Sequence, residues 1–326
     1  MRKKTKTISL MLTAAAVVVM AVSCNLSNFS GVLFSTHQLT LNDGTGGSVL
    51  LGAGEYYVGE KVTVTVEPDT DYVFYGWEGA VDAIKGFSAE SSTEHSFSMP
   101  AEDIELTAQW VTLGDEGPAG GLIFYLDEAD EFDWIGLEAA PEDIEVDGNE
   151  TFQWGAAPYW WIVGDGAANI GETEETIGSG HANSTAIVDF IGSLKHKTTG
   201  ESYYVFDWDS ASSYERFTDG ANTYDLSTNN DGTVAAKECL EYVVTHNGKT
   251  YDDWFLPSKE ELEEIDLKLH QAGDGGFEDA YYKSSSEYST SHAWSHNFAT
   301  TGSDTIRYKY EHCRVRAVRA LKPFGN

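Results

Sequence analysis

The chain is short of basic residues. Its 326 residues include 20 Lys and Arg against 53 Asp and Glu, which gives a formal net charge of −33 at pH 7. Such an acidic surface repels nucleic acid and anionic lipid headgroups, so neither is expected as a partner bound through charge. A partner attracted by charge would be cationic, or calcium would mediate the contact. The simpler interpretation is that the acidity keeps the surface soluble.

Common catalytic patterns are also missing. The sequence contains no H-E-x-x-H motif, no Ser-His-Asp order typical of hydrolases, and no G-K-[ST] after its glycine-rich stretches. We therefore expect no enzymatic activity and no organic cofactor. Calcium is the one ion that the sequence leaves open.

Long apolar runs are limited to residues 8–22, which follow four basic residues. The run is short for a bilayer span and is typical of a secretory signal peptide. It ends in Ala21-Val22-Ser23-Cys24, which resembles the lipobox of bacterial lipoproteins. This resemblance implies a signal peptide over 1–23, acylation of Cys24, and a lipid anchor in the cell envelope, at the outer membrane or cell surface. The alternative is ordinary cleavage near Ala21 with Cys24 left free.

The chain has three cysteines. If Cys24 carries lipid, Cys239 and Cys313 remain as an even pair in an exported, oxidising setting, which predicts a disulfide between them. Without a C-x-x-C motif or nearby histidines, the two make a poor zinc site.

Composition favours strands over helices. The chain has 32 Gly, only 7 Pro, and 13% aromatic residues. Aromatic and β-branched residues separated by glycine turns are typical of short strands, so we expect an α+β protein with few helices. After a tether over 24–35, the alternation in "KVTVTV" places Val62, Val64 and Val66 on one buried face.

Residues 36–111 carry the first family resemblance. The order "VTVTVEPDTDYVFYGWEG", a spacer, then "FSMPAEDIELTAQW" resembles the divergent internalin B-type (Listeria–Bacteroides) repeat. The resemblance implies a small β-grasp-like module of the kind found on bacterial surface proteins. Trp77 and Trp110 are interpreted as core residues of this module.

Residues 112–322 form a second predicted domain. It should begin with a buried strand over Leu122–Leu126 and continue to a helix capped by Asn183 or Ser184. A second helix over 234–244 would place Cys239 beside Leu240 and Val243. A third helix should begin at Ser258, whose S-x-x-E pattern with Glu261 predicts a capping box, and should bury Leu262, Ile265 and Leu269.

Several motifs of this domain occur in an order that carries a second resemblance. They are "GDEGPAGGLIFY", "LEAAP", "IGSGHANSTAIV", "AAKECLEYVVTHNGKTYDDWFLPSKEEL", "YYKSSSEYSTSHAWSHNF" and "RVRAVRAL". The region resembles the C-terminal domain of the Legionella collagen-like adhesin and the related Fibrobacter major paralogous domain. The resemblance implies a C-type-lectin-like fold on the bacterial surface and agrees with a helix-to-final-strand disulfide. Formylglycine-generating enzymes have a related fold, and they need reactive cysteines.

Aromatic residues in acidic loops are the predicted ligand site. Rings can stack on sugar faces while neighbouring carboxylates accept hydrogen bonds from hydroxyls. The candidates are Tyr159, Trp160, Trp161, Asp207, Trp208 and Asp209. A surface glycan or a matrix protein is the expected partner, and burial of these rings in the core is the competing interpretation.

Other charged patterns receive structural interpretations. Ser227, Asn229, Asp231, Gly232 and Glu238 mimic a calcium loop, but a simple turn is favoured. His292 and His296 have helical metal-ligand spacing, yet in a strand they would lie about 13 Å apart. The arginines of the terminal strand are expected to pair with internal acids, with an anion site as the alternative. They are Arg314, Arg316 and Arg319.

Overall fold

The computed structural model describes residues 35–85, 87, 92–129, 131–158, 170–171, 173–211, 213–299 and 302–323. Cys24, Tyr159, Trp160 and Trp161 lie outside the described residues. Thr36–Asn326 groups into one compact unit. Among the residues that the structure describes, no helix is long and apolar enough to cross a membrane.

Seven strands build the first domain. They are β1 (Thr36–Asn42), β2 (Gly47–Leu51), β3 (Gly54–Tyr57), β4 (Lys61–Pro68), β5 (Val73–Gly79), β6 (Glu94–Ser98) and β7 (Ile104–Val111). They form two sheets with the strand orders β3-β1-β7-β5 and β2-β4-β6. β1 and β7 pair in parallel, and the other pairs are antiparallel. Between β5 and β6, the described residues contain one 3-10 turn, Val81–Ala83.

The core of this domain agrees with the sequence pattern. Val62, Val64 and Val66 are buried on one face of β4, while Thr63 points to solvent. Trp77 and Trp110 are buried in the same core, as predicted. The period-2 alternation therefore identified the inner face of β4.

The second domain contains four further sheets. Their strands are β8 (Leu122–Leu126), β9 (Gly136–Ala139), β10 (Lys195–His196), β11 (Tyr214–Thr218), β12 (Thr223–Ser227), β13 (Val244–His246), β14 (Lys249–Tyr251), β15 (Tyr281–Glu287), β16 (His292–Asn297), β17 (Ser303–Tyr308) and β18 (Val318–Leu321). The strand orders are β18-β9-β8, β10-β11-β12, β13-β14 and β15-β16-β17. The strand expected at residues 122–126 is present with those bounds. The C-type-lectin-like character of this domain stays a prediction.

Within the part of this domain that the structure describes, three α-helices pack on these sheets: α1 (Gly180–Ser193), α2 (Ala235–Leu240) and α3 (Lys259–Lys268). α1 buries Ile187 and Ile191, as its spacing predicts. Its N-cap, however, is Ser179 and neither Asn183 nor Ser184. The latter two are buried because they bond other segments: Asn183 Oδ1 accepts from Glu174 N at 2.9 Å, and Ser184 Oγ accepts from Leu256 N at 2.9 Å.

The capping box at α3 is confirmed. Ser258 Oγ accepts from Glu261 N at 3.3 Å, and Glu261 Oε2 accepts from Ser258 N at 2.8 Å. Leu262 and Ile265 are buried along the same helix face, and Leu269 is buried just after it. The acidic run that begins α3 therefore includes a structural carboxylate at Glu261.

The predicted disulfide is wrong, because Cys239 and Cys313 are both free. Cys239 lies in α2, which packs against α1, and its side chain joins the main hydrophobic core. Cys313 belongs to a segment whose backbone pairs with Phe152, and its Sγ lies 4.0 Å from Ser295 Oγ. The thiols face different neighbours, which an even count of cysteines cannot reveal. The helix that was expected over 234–244 ends at Leu240. Val243, expected on its buried side, lies beyond the helix and is exposed.

Candidate ligand-binding strip

Trp208 belongs to the core, so its expected place on an exposed patch is wrong. Its side chain is 7% exposed, its Nε1 donates to Tyr203 O at 3.1 Å, and its ring stacks on Phe217 with centroids 5.3 Å apart. The 3-10 turn Trp208–Ser210 turns the indole inward and leaves Asp207 and Asp209 exposed on either side. Tyr159, Trp160 and Trp161 lie outside the described residues, and their role stays a prediction.

The residues of the calcium-like loop have partners within the protein. Asp231 Oδ1 accepts from Thr233 N at 2.9 Å, and its Oδ2 lies 2.9 Å from His312 Nε2. Burial raises the pKa of Asp231, but the hydrogen bonds from His312 and Thr233 outweigh it and lower the pKa. Asn229 uses its carbonyl to accept from Gln153 Nε2, and Glu238 lies in α2, where burial raises its pKa. Over the described ranges, no group of three or more His, Cys, Asp or Glu could hold a metal ion.

The prediction that Arg314, Arg316 and Arg319 pair with acidic residues of the same chain is confirmed. Arg316 Nε donates to Asp143 Oδ1 at 2.8 Å, and Arg314 Nη1 lies 3.3 Å from Asp143 Oδ2. Arg319 donates to Asp253 Oδ1 at 2.7 Å and, through Nη1, to Glu138 Oε2 at 3.1 Å. Arg319 ties β18 to the rest of the domain, and Arg314 and Arg316 hold the segment that precedes β18.

His292 and His296 lie on β16, as the strand interpretation requires, and each ring has its own neighbours. His296 Nδ1 lies 2.9 Å from Asp304 Oδ1, and its Nε2 lies 3.4 Å from Asp266 Oδ2. Burial lowers the pKa of His296, but the two carboxylates outweigh burial and raise it. The ring of His292 packs against Tyr308 with centroids 4.1 Å apart.

One face of the β15-β16-β17 sheet carries aromatic and apolar side chains that reach solvent. We call this set the aromatic strip, and its members are Tyr288, His292, Trp294, Ile306 and Tyr308. In the sheet register, His292 pairs with Tyr308 and Trp294 with Ile306. Alternate residues of a strand share a face, so these two rows lie about 7 Å apart along the sheet. Tyr288 is 52% exposed, Tyr308 42% and Ile306 41%.

Ring contacts hold the strip in place. Tyr308 stacks on Tyr310 with centroids 5.0 Å apart and an interplanar angle of 10°. Tyr288 meets the edge of Trp294 at 5.0 Å and 82°. Since aromatic pairs of this geometry are favourable beyond their burial, the rings are ordered before any ligand arrives.

A polar rim borders the strip at Trp294. Trp294 Nε1 donates to Glu175 Oε1 at 2.8 Å, and Lys259 Nζ lies 5.1 Å from the centre of the ring. Lys259 also contacts Asp304 Oδ2 at 2.8 Å and Glu263 Oε1 at 2.6 Å. Partial burial lowers the pKa of Lys259, but these carboxylates outweigh it and raise the pKa, so the amine stays charged.

The strip joins fixed ring faces to fixed hydrogen-bonding groups, which is the chemistry of a carbohydrate site. The sequence interpretation missed it. The alternation His292, Trp294, His296 in "HAWSHN" was a usable signal, because it puts three rings on one strand face. The pairing with Ile306 and Tyr308 depends on the register between strands, which the sequence does not display.

Comparison with known proteins identifies part of the chain. Residues 37–113 match the family model described as the divergent InlB B-repeat domain, which confirms the resemblance of the first domain. No curated protein matches the chain. Among solved structures, a fimbrial protein from Bacteroides ovatus ATCC 8483 matches with 12% identity over 87% of this chain and 68% of that chain. The TM-score is 0.33.

Proposed function

We propose that this protein is a lipid-anchored bacterial surface protein that binds a neutral glycan through the aromatic strip. The match of residues 37–113 to the divergent InlB B-repeat domain supports a surface or adhesion-type protein. The observation that carries the binding proposal is the exposure of Tyr308 on β17 and of Tyr288 just after β15, beside carboxylates that hydrogen bonds and ion pairs hold in place.

Exposed aromatic rings favour a ligand that removes their apolar surface from water. Tyr288 and Tyr308 keep large apolar areas in contact with water, and a ligand with an apolar face would cover them favourably. A sugar ring has such a face, and its hydroxyls can donate to Glu175 and Glu263 at the rim. Ring contacts, the Trp294–Glu175 hydrogen bond and the Lys259–Glu263 ion pair hold these groups, so a ligand need not order them on binding.

The net negative charge of the chain disfavours a negatively charged ligand. At a net charge of −33, the long-range field opposes sulfated polymers. A neutral glycan avoids this repulsion.

A non-enzymatic role agrees with the two cysteines of this domain. Burial raises the pKa of Cys239 well above its ordinary value, which disfavours the reactive thiolate that an enzyme of the formylglycine-generating kind would need. Cys313 is buried as well. A non-binding structural protein of the envelope is the remaining alternative.

A glycan array probed with the whole chain tests the proposal. Tyr288→Ala and Tyr308→Ala should each weaken binding about tenfold, since a central aromatic contact contributes more than about 1 kcal/mol. Tyr214→Ala is the matched control, because Tyr214 is 37% exposed on β11, outside the strip. The proposal is wrong if both strip variants fold and bind like the parent, and a blank array with the parent would favour the structural role. Mass spectrometry of the native N-terminus separately tests the acyl group on Cys24.

A further inference from the structure

A cleft of about 930 Å³ lies where the two domains meet, away from the aromatic strip. One wall is the turn between β4 and β5, and the other is the loop between β8 and β9. Its walls carry four carboxylates, Asp71, Asp127, Glu128 and Asp133, and aromatic rings that include Phe132 and Trp134. We call it the acidic cleft.

The walls of the acidic cleft are held in position by a shared hydrophobic cluster. Val73 and Tyr75 of β5 pack against buried side chains that come from the domain junction and the second domain, namely Val111, Ile123, Leu126, Ile135 and Leu321. Thr112 Oγ1 also donates to Asp71 O at 2.7 Å. Because apolar packing of this kind resists deformation, the cleft is formed before a ligand binds.

Asp127 shapes the loop that forms the second wall. Its two carboxylate oxygens accept from Glu131 N at 3.1 Å and Phe132 N at 2.8 Å. These bonds bring Phe132 and Trp134 together, and their rings stack with centroids 4.1 Å apart and an interplanar angle of 7°. A flat aromatic pair therefore stands beside the acidic side chains.

The electrostatics of the acidic cleft select one kind of ligand. None of the described residues that line it is Lys, Arg or His, so no internal cation neutralises its carboxylates. A cation near an aromatic face is stabilised by the ring quadrupole, and nearby carboxylates add direct attraction. The volume is at the upper end of the range for small-molecule pockets, about 300–1,000 Å³, and both walls carry acids, so a ligand with several cations fits best.

We propose that the acidic cleft binds a lysine- or arginine-bearing segment of a partner polypeptide. One cationic side chain lies against Phe132 and Trp134, and others reach Asp71 on the facing wall. This site is separate from the aromatic strip and does not depend on glycan binding.

Fluorescence anisotropy with a labelled hexalysine peptide and the whole chain tests the proposal. The triple variant Asp71→Asn, Glu128→Gln, Asp133→Asn should raise Kd at least about tenfold, as should Trp134→Ala, given the usual strength of cation–π and ionic contacts. Trp134→Phe keeps a ring face and should restore most of the binding. Circular dichroism confirms that each variant is folded.

A charge-matched control separates the cleft from the general acidity of the surface. Glu102→Gln, Glu145→Gln and Asp274→Asn remove the same number of charges from exposed positions outside the cleft. This variant should change Kd less than about twofold at near-physiological salt, where distant charges are screened. Equal losses in the two triple variants, or unchanged binding in Trp134→Ala, would overturn the proposal. Stronger competition by spermidine than by unlabelled peptide would assign the cleft to small amines and also overturn it.

Glycan binding by the aromatic strip and peptide binding by the acidic cleft can be tested independently of each other. Tyr308→Ala should leave hexalysine binding unchanged, and the cleft triple variant should leave glycan binding unchanged. If Tyr308→Ala weakened both, the sites would not be separate and the cleft proposal would be wrong.

Discussion

At the scale of single residues, Glu261 joins the starts of two helices. Its Oε2 accepts from Ser258 N at the start of α3, and its Oε1 accepts from Gly178 N at 2.8 Å, just before α1. Gly180 must lack a side chain here, because a Cβ would lie 2.3 Å from Glu261 Oε2. Burial raises the pKa of Glu261 to about 7, against the opposite effect of the backbone hydrogen bonds. The protonated form is therefore favoured in the folded state.

This pKa predicts a pH-dependent stability. The pKa in the folded state is above the ordinary value of 4.5, so the folded chain binds the proton more tightly than the unfolded chain. The resulting stabilisation is complete below about pH 4.5 and is lost as the pH rises through about 7. Glu261→Gln cannot titrate, so its deficit in unfolding free energy should shrink by about 2–3 kcal/mol between pH 5 and pH 8.

Urea unfolding of the parent and of Glu261→Gln at both pH values gives this difference directly. Other groups titrate in both proteins and cancel in the comparison. A deficit that does not change with pH would mean that Glu261 stays ionised in the folded protein, held by its three backbone amides.

At the scale of elements, α1 and α3 begin in different ways. Ser258 caps α3 with its side chain, whereas Ser179 at the start of α1 makes no side-chain bond to a helix amide. Ser179 Oγ instead donates to Thr176 O at 2.6 Å. The same residue type at two N-caps therefore has two different roles.

This difference predicts that replacing the two serines by alanine will have unequal effects on stability. Ser258→Ala should lower the unfolding free energy by about 1 kcal/mol, because it removes the acceptor for Glu261 N. Ser179→Ala should change it by less than about 0.5 kcal/mol, as expected for an exposed substitution that spares the helix amides. Chemical denaturation measures both values, and equal losses in the two variants would contradict the interpretation of the caps.

At the scale of the whole molecule, one buried ion network ties distant parts of the chain together. Glu138 on β9 accepts from Ala119 N at 3.0 Å and Gly121 N at 2.9 Å, and Arg319 on β18 bonds Glu138 and Asp253. Burial raises the pKa of Glu138, while these hydrogen bonds and Arg319 oppose that rise. The last strand is thus linked to the turn before β8 and to the segment before α3.

Breaking this network should lower the free energy of unfolding. Arg319→Met should lower the unfolding free energy by about 3–5 kcal/mol, because it leaves a fully buried carboxylate at Glu138 without its cation. Adding Glu138→Gln should recover part of the loss. Arg216→Met is the control: the Arg216–Asp225 pair joins β11 to β12 at the surface, with Arg216 48% exposed, and should contribute less than about 1 kcal/mol. Urea unfolding of the four proteins is the measurement, and a loss at Arg319 no larger than that at Arg216 would show that the network does not hold the strand.

The sequence alone determined the features that depend on near neighbours. The inner face of β4 follows from side-chain alternation, the bounds of β8 from a short apolar run after a glycine-rich turn, and the capping box at Ser258 from a four-residue bonding pattern. These patterns are local, because a strand repeats every two residues and a cap spans about one helical turn.

Only the tertiary structure decided which side chains meet across the chain. Trp208 turned inward against Tyr203 and Phe217, Cys239 and Cys313 came to face different neighbours, and the register of β16 with β17 brought Trp294 beside Ile306. A shift of one residue in that register would send Ile306 and Tyr308 to the opposite face. Such pairings depend on packing between segments far apart in sequence, which local residue patterns do not encode.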